Sequence, residues 1–388
     1  MCIIPRNSLF RYFDTPKCSP GVRRTLGAHN KAKMLRYKGA AHFRQRIILA
    51  TLSGRAVRID DIRSEEEQVG LRDYEACFLR LLEKVVNGCE IVINETGTAM
   101  RYRPGIIVGG GGHVHECGTS RAISYFIQPL LALAPFGKLP LAITLRGVTN
   151  ATGDVGVDVL RTVTLPMLRH FGLSEGLSLQ VNKRGAPPLG GGEVYMQMAI
   201  VRELTPCDLT ETGRVKRVRG VAYGTKVSPQ ICNRLVDASR GVLNHFLPDV
   251  WVYTDVFKGK TSGLSAGFAL TLVAETTSGA LLSAEAVGAG GVMPEEVGTQ
   301  AAEALLQQVR EAGTCDSANQ PLALVLMALG PEDVSRLRLG TLTEHSIGLL
   351  RLLRDFFGVT FQIDSEPDGS VVLTCRGVGF KNLSKRTT

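Results

Sequence analysis

The period of apolar positions along the chain switches repeatedly, and each switch predicts a change of element. Over residues 73–87 apolar side chains recur at helical spacing (Phe78, Leu81, Leu82, Val85) and stop at Gly88, a residue suited to ending a helix. Residues 89–94 and 99–103 then read as a hairpin turning at Glu95-Thr96-Gly97. The same order returns twice. Residues 158–171 predict a helix ending at Gly172, followed by paired strands over 177–183 and 193–198. Residues 343–357 predict a helix ending at Gly358, followed by a hairpin of 359–364 and 370–375 over Pro367-Asp368-Gly369. Three helix–Gly–hairpin units in one chain predict an internal structural repeat. Ahead of the first unit, residues 46–53, closed by Gly54, predict a strand.

Further helices fit residues 119–134, 295–312 and 319–329. Between the second and third units lies a stretch with its own order: a basic strand (215–226), a helix (229–246), a strand (250–255) and a hairpin (268–275 with 280–286). It reads as a smaller inserted domain whose junctions are the glycine-rich segments 189–192 and 288–291. The expected class is α/β, with mixed sheets under helix pairs. The expected divisions are a basic arm (1–38), the first part of the main domain (39–190), the insert (191–287) and the last repeat (288–388).

Composition narrows the class. The chain of 388 residues is 44% hydrophobic and 21% charged, which excludes wholesale disorder, collagen and coiled coil. No apolar stretch is long enough to span a bilayer. Nine cysteines without a CxxC pair, and no apolar secretory signal at the start, suggest reduced thiols in an intracellular protein. The net charge of +9 is concentrated at one end. Residues 1–38 carry nine basic side chains against the single acid Asp14, leaving 36 basic and 35 acidic groups in the rest. A basic arm on a neutral body suggests attraction to a polyanion, RNA first, although an unstructured extension or a transit peptide has the same composition.

Several segments could carry chemistry. Gly109–Gly112 precede His113-Val114-His115-Glu116-Cys117, whose alternate His113, His115 and Cys117 would share one face of an extended strand. A fourth zinc ligand is missing, and no metal site is expected. A phosphate cradle could form where this run enters the following helix, but the sequence has neither a P-loop ending nor a dinucleotide fingerprint. No Ser-His-Asp or Cys-His arrangement is recoverable. Basic clusters offer more: Arg214, Lys216, Arg217 and Arg219 in the insert, with Lys226 and Arg234 following. On the last helix Arg351, Arg354 and Asp355 share one side, opposite Leu349, Leu350, Leu353 and Phe357. Both groups are candidates for RNA or partner contact, and both also fit a charged solvent face.

Long ordered motifs carry a family resemblance. Phe43-Arg44-Gln45-Arg46 through Leu52-Ser53-Gly54-Arg55, then Gly70–Glu75, Leu145–Asn150 and Pro188–Glu193, resemble the RNA 3′-terminal phosphate cyclase family. Residues 227–230, 273–279, 294–296 and 377–385 are similar to its eukaryotic, non-catalytic cyclase-like branch. The resemblance runs from about residue 38 to the C-terminus. It implies repeated βαβαββ-type units, the enolpyruvyl transferase-like RNA 3′-terminal phosphate cyclase fold, with a small inserted α/β domain.

For the true cyclases the resemblance implies ATP-dependent adenylylation of a histidine, followed by closure of a 2′,3′-cyclic phosphate on RNA. Their glycine-rich, Glu-containing nucleotide approach is replaced here by Lys38-Gly39-Ala40-Ala41-His42-Phe43-Arg44-Gln45, where bulky side chains obstruct close backbone approach. His345 falls about where the family keeps its nucleophile, but without the surrounding pattern, so no catalytic residue and no cofactor are expected. The branch implies a nucleolar assembly factor of the small-subunit processome, supporting small-subunit rRNA maturation. Its implied partners are a ribosome-assembly GTPase, pre-rRNA and box C/D small nucleolar RNA particle components, without a membrane and as a monomer within a large assembly. The enzymatic alternatives are a cyclase acting through His345 and a pre-rRNA endonuclease. Arg351, Arg354 and Asp355 are thin support for a nuclease, because arginine cannot serve as a base near neutral pH.

Overall fold

The computed structural model describes residues 34–385, so residues 1–33, most of the basic arm, lie outside the described residues. The chain forms two compact units, one ending at Ile107 and the other starting at Val108.

The first unit runs β1 (Leu35–Lys38), α1 (Phe43–Ser53), β2 (Val57–Asp60), α2 (Asp73–Val85), β3 (Val86–Asn87), β4 (Glu90–Ile93), β5 (Met100–Arg103) and β6 (Ile106–Ile107). Its main sheet has the order β1-β2-β5-β4, with β1 parallel to β2 and the other pairs antiparallel. Two expectations fail here. Arg36 and Lys38 belong to a sheet strand, so the arm is shorter than 1–38. The segment 46–53 is the helix α1, not a strand. Every side chain from Gln45 to Leu52 is buried. A helix covered on all sides has no polar face to reveal its period, and a short apolar run then looks the same in either conformation. Gly54, at φ 69°, takes the left-handed conformation that ends it.

The second unit begins β7 (Gly110–Glu116), α3 (Ile123–Leu133), β8 (Leu141–Gly147), α4 (Val157–Val159), a π-helical turn, α5 (Leu165–Arg169), β9 (Ser178–Lys183) and β10 (Gly192–Met198). These strands take the order β7-β8-β10-β9, again with a parallel pair followed by two antiparallel pairs. The short strand β11 (Asp208–Leu209) follows. The chain then builds another sheet from β12 (Val215–Thr225), α6 (Pro229–Leu243), β13 (Val250–Phe257), β14 (Gly267–Thr276), β15 (Leu281–Val287) and α7 (Pro294–Arg310). It closes with α8 (Gln320–Leu329), β16 (Val334–Leu339), α9 (Glu344–Phe357), β17 (Gln362–Ser365) and β18 (Val371–Arg376). β11 pairs in parallel with β16 in the sheet β11-β16-β18-β17. Among the described residues, therefore, three sheets share one first–second–fourth–third strand order, and the third is interrupted between its first strand and first helix.

Strand pairing moves the limits of the insert away from 191 and 287. Gly192–Met198 hydrogen-bonds within the second repeat, so the 189–192 segment is a turn inside that repeat and not a junction. Helix α7 belongs to the insert, because Val297, Ala301, Ala302 and Leu305 join Leu235 and Leu243 of α6 and Leu270 and Leu272 of β14 in one core. Sheet order here is β13-β12-β14-β15. On its other face Val273 and Leu281 pack against Val159 and Val163 of the second repeat.

Candidate functional site

In the first unit, the turn from β1 into α1 occupies the position where the family resemblance places nucleotide. His42 holds φ 53° at the start of the helix, and Phe43 is buried beside it. Arg46 reaches back to donate to the Gly39 carbonyl at 2.7 Å and the Lys38 carbonyl at 3.3 Å, lying 4.8 Å over the Tyr37 ring. The turn's acceptors are thus engaged by a side chain of the same helix, and residues 38–45 contain no acid that could hold a metal-bound nucleotide. Burial, then the Arg46 charge, lowers the pKa of His42, keeping its imidazole neutral. Further along, buried Glu75 accepts from the Arg72 main chain and, at 2.7 and 2.8 Å, from both terminal nitrogens of Arg63. The motif Gly70–Glu75 therefore serves to anchor α2.

In the second unit, two family motifs meet in an open cleft. Its walls include Glu116, Arg146, Lys183, Glu193, Leu189 and Leu264. Arg146 donates to Glu193 at 2.9 Å and to Glu116 at 3.4 Å, and Asn182 donates to Glu193 at 3.2 Å. The floor is backbone against backbone: a Cβ at Gly192 would come within 2.9 Å of the Gly147 carbonyl oxygen. Where this repeat meets the inserted sheet lies a buried polar network that the sequence did not suggest. Arg184, fully buried, donates to Asp158 at 2.6 and 2.8 Å and to Asp255 at 3.3 Å, and stacks 4.6 Å from the Tyr223 ring. Beside it, Asn150 and the Gly156 main chain donate to Glu285 at 2.6 and 2.8 Å. Burial pushes the Glu285 carboxyl up to about 7, with nearby Asp158 adding to the shift against its hydrogen bonds. The signal available in sequence was the motif pair Leu145–Asn150 and Pro188–Glu193, which brackets Arg184 without marking it.

The predicted candidates fall into two separate layers. Arg214 and Lys216 are exposed at the start of β12. Arg217 donates to Glu275 at 2.6 Å, and Arg219 grips Asp249 through two bonds of 2.8 and 2.9 Å. Arg351, Arg354 and Asp355 are exposed on α9, over the third repeat's sheet. The face opposite them is Leu349, Leu352, Leu353 and Phe356. Leu350 and Phe357, expected there, are only half-buried, because the i, i+3, i+4, i+7 stripe runs through Leu352 and Phe356.

His345 sits half-buried in the first turn of α9, amid capping chemistry. Thr343 accepts from the Ser346 main chain, and the Ser346 hydroxyl donates to Gln320 at 3.0 Å. His113 contacts the Gly109 carbonyl at 3.1 Å, while His115 and Cys117 are buried, His115 lying 5.6 Å from the Phe126 ring. At the start of α3, Asp154 accepts from the Ala122 main chain at 2.8 Å and pairs with Arg121, so a carboxylate occupies the place a phosphate would take. Among the described residues no group of three His, Cys, Asp or Glu could hold a metal ion, and no helix is long and apolar enough to cross a membrane.

The repeated strand order, the interrupted third repeat and the motifs lining the cleft define a mixed α/β protein of βαβαββ repeats. The family described as RNA 3′-terminal phosphate cyclase matches residues 35–363, and the chain belongs to it. A Dictyostelium discoideum protein named as a probable RNA 3′-terminal phosphate cyclase-like protein is 50% identical, across 91% of this chain and 100% of its own. A human RNA 3′-terminal phosphate cyclase-like protein is 48% identical, across 92% and 98%. A Schizosaccharomyces pombe protein named rRNA processing protein rcl1 is 44% identical, across 91% and 98%.

Proposed function

We propose that this chain is a non-catalytic rRNA-processing factor that keeps the cyclase scaffold as a rigid docking body. The carrying observation is its similarity, over nearly the whole of both chains, to the fission-yeast protein named for rRNA processing. The filled β1–α1 turn supports the non-catalytic part: Arg46 engages the carbonyls of the loop, and no acid is present there. In this reading the protein works in the nucleolus, within the particle that matures small-subunit rRNA. It binds an assembly GTPase and contacts pre-rRNA and the box C/D small nucleolar RNA machinery. The exposed Arg214, Lys216, Arg351 and Arg354 and the basic arm supply charge for such contacts. The test is depletion of the endogenous protein with pre-rRNA measured by hybridisation. Small-subunit precursors should accumulate, and His345→Ala should rescue as well as wild type. Normal precursor levels on depletion would refute the processing role, and failure of a stably folded His345→Ala to rescue would favour a cyclase.

A further inference from the structure

The face of the inserted sheet that turns away from α6 and α7 is only partly covered. In register across the strands, Trp251 of β13 lies beside Arg219 of β12 and Val273 of β14, and Tyr253 lies beside Val221 and Thr271. The second repeat occupies the β14 and β15 side of this face through Val159, Val163 and Asn150, and Arg184 covers Tyr223 of β12 and Asp255 near the end of β13. The start of β13 is left uncovered. Trp251 and Tyr253 remain 56% and 58% exposed, with ring centroids 6.1 Å apart and planes inclined by 64°. Two large rings on alternate residues of an edge strand would ordinarily be sheltered, since their apolar faces gain most by leaving water.

We propose that Trp251 and Tyr253 form a stacking platform for unpaired bases of RNA, a site that rests on the RNA-contacting role proposed above. Both rings project from the sheet's face instead of along its hydrogen-bonding edge, and each stays more than half exposed although they meet edge to face. Their in-register neighbour is a guanidinium fixed by Asp249, so Arg219 is oriented before any ligand arrives. Arg217 stands two residues before it, and Lys216 makes no ion pair among the described residues. At the other end of β13, Lys258 and Lys260 are exposed. Aromatic faces for bases between cations for phosphates are the parts that bind single strands, whereas a duplex hides its base faces. A nearly neutral body suits such a site, because stacking needs no net charge.

Trp251 is the only tryptophan of the chain, so its emission reads the site directly. The full-length protein is titrated with an oligouridylate, an oligoadenylate and a duplex of the two, while a fluorescently labelled copy of each reports total binding. Single strands should quench Trp251 and the duplex should not. Tyr253→Ala, which leaves the reporter in place, should weaken the quenching isotherm about tenfold. Trp251→Phe should keep the affinity of the labelled strand and Trp251→Ala should lose it. Binding of labelled RNA without a change in Trp251 emission overturns the platform but leaves RNA contact standing. No RNA binding by the full chain overturns both. A shift in Trp251 emission with protein concentration alone would make the patch a self-contact and overturn the proposal.

Discussion

Arg184 shows how much of this molecule depends on single buried charges. Its guanidinium is held between Asp158 of the second repeat and Asp255 of the inserted sheet, with the Tyr223 ring beneath it. Removing it leaves the buried Asp158 carboxylate with only the 3.3 Å bond from Arg161 in place of two shorter ones. Arg184→Ala should therefore lose on the order of 3–5 kcal/mol of stability, read as a shift in the denaturant midpoint. Glu285 acts in the opposite sense. Its folded-state pKa of about 7 lies above that of an exposed glutamate, so the folded form binds the proton more tightly. The resulting stabilisation is complete at acidic pH and disappears as pH rises through 7. Wild type should thus lose stability between pH 5 and 8, and Glu285→Gln should flatten that dependence, as thermal melts across the range would show. Neither residue was marked by the sequence. A buried charge is recognised by the partners that fold around it, and those partners lie up to 135 positions away for the Asn150–Glu285 bond.

At the scale of elements, local signals and distant pairings were unequally legible. Helix α9 was readable because its start and end carry their own chemistry. Thr343 caps the Ser346 main chain, and Gly358 takes φ 74° to end the helix. Thr343→Ala should cost about 1 kcal/mol, measurable by chemical denaturation, with no change of fold. The hairpins were readable for the same reason, each being closed by its own turn. Helix α1 was not, since its interior segment is buried all round. The two-residue strand β11 has no pattern of its own, and only its pairing with β16 reveals that the third repeat begins before the insert. Glycine runs misled for a related reason. The segment 189–192 turns back on its own repeat, with the Gly190 main chain donating to the Ala186 carbonyl at 2.9 Å. At the candidate site, the residue types of the basic strand and of α9 were visible in the sequence. That Glu275 and Asp249 would engage Arg217 and Arg219 was not.

For the whole molecule, the division of charge and the β1–α1 turn held by Arg46 bear on separate proposals. Seven of the nine basic side chains in residues 1–38 precede the described residues, against one acid, while the rest of the chain is nearly balanced. If RNA affinity depends on them, it should fall steeply between 50 and 200 mM salt. Replacing those seven with serine in the full chain should flatten that slope, as anisotropy titrations would reveal. The scaffold's silence as an enzyme is the central claim, and self-adenylylation tests it most directly. The purified protein is incubated with labelled ATP, Mg²⁺ or Mn²⁺ and a 3′-phosphorylated oligonucleotide, beside His345→Ala and an active cyclase of the same family. The account predicts label and cyclic phosphate with the active cyclase only. Label on the wild-type chain that disappears in His345→Ala, with cyclic phosphate formed, would contradict it and make this protein a working cyclase.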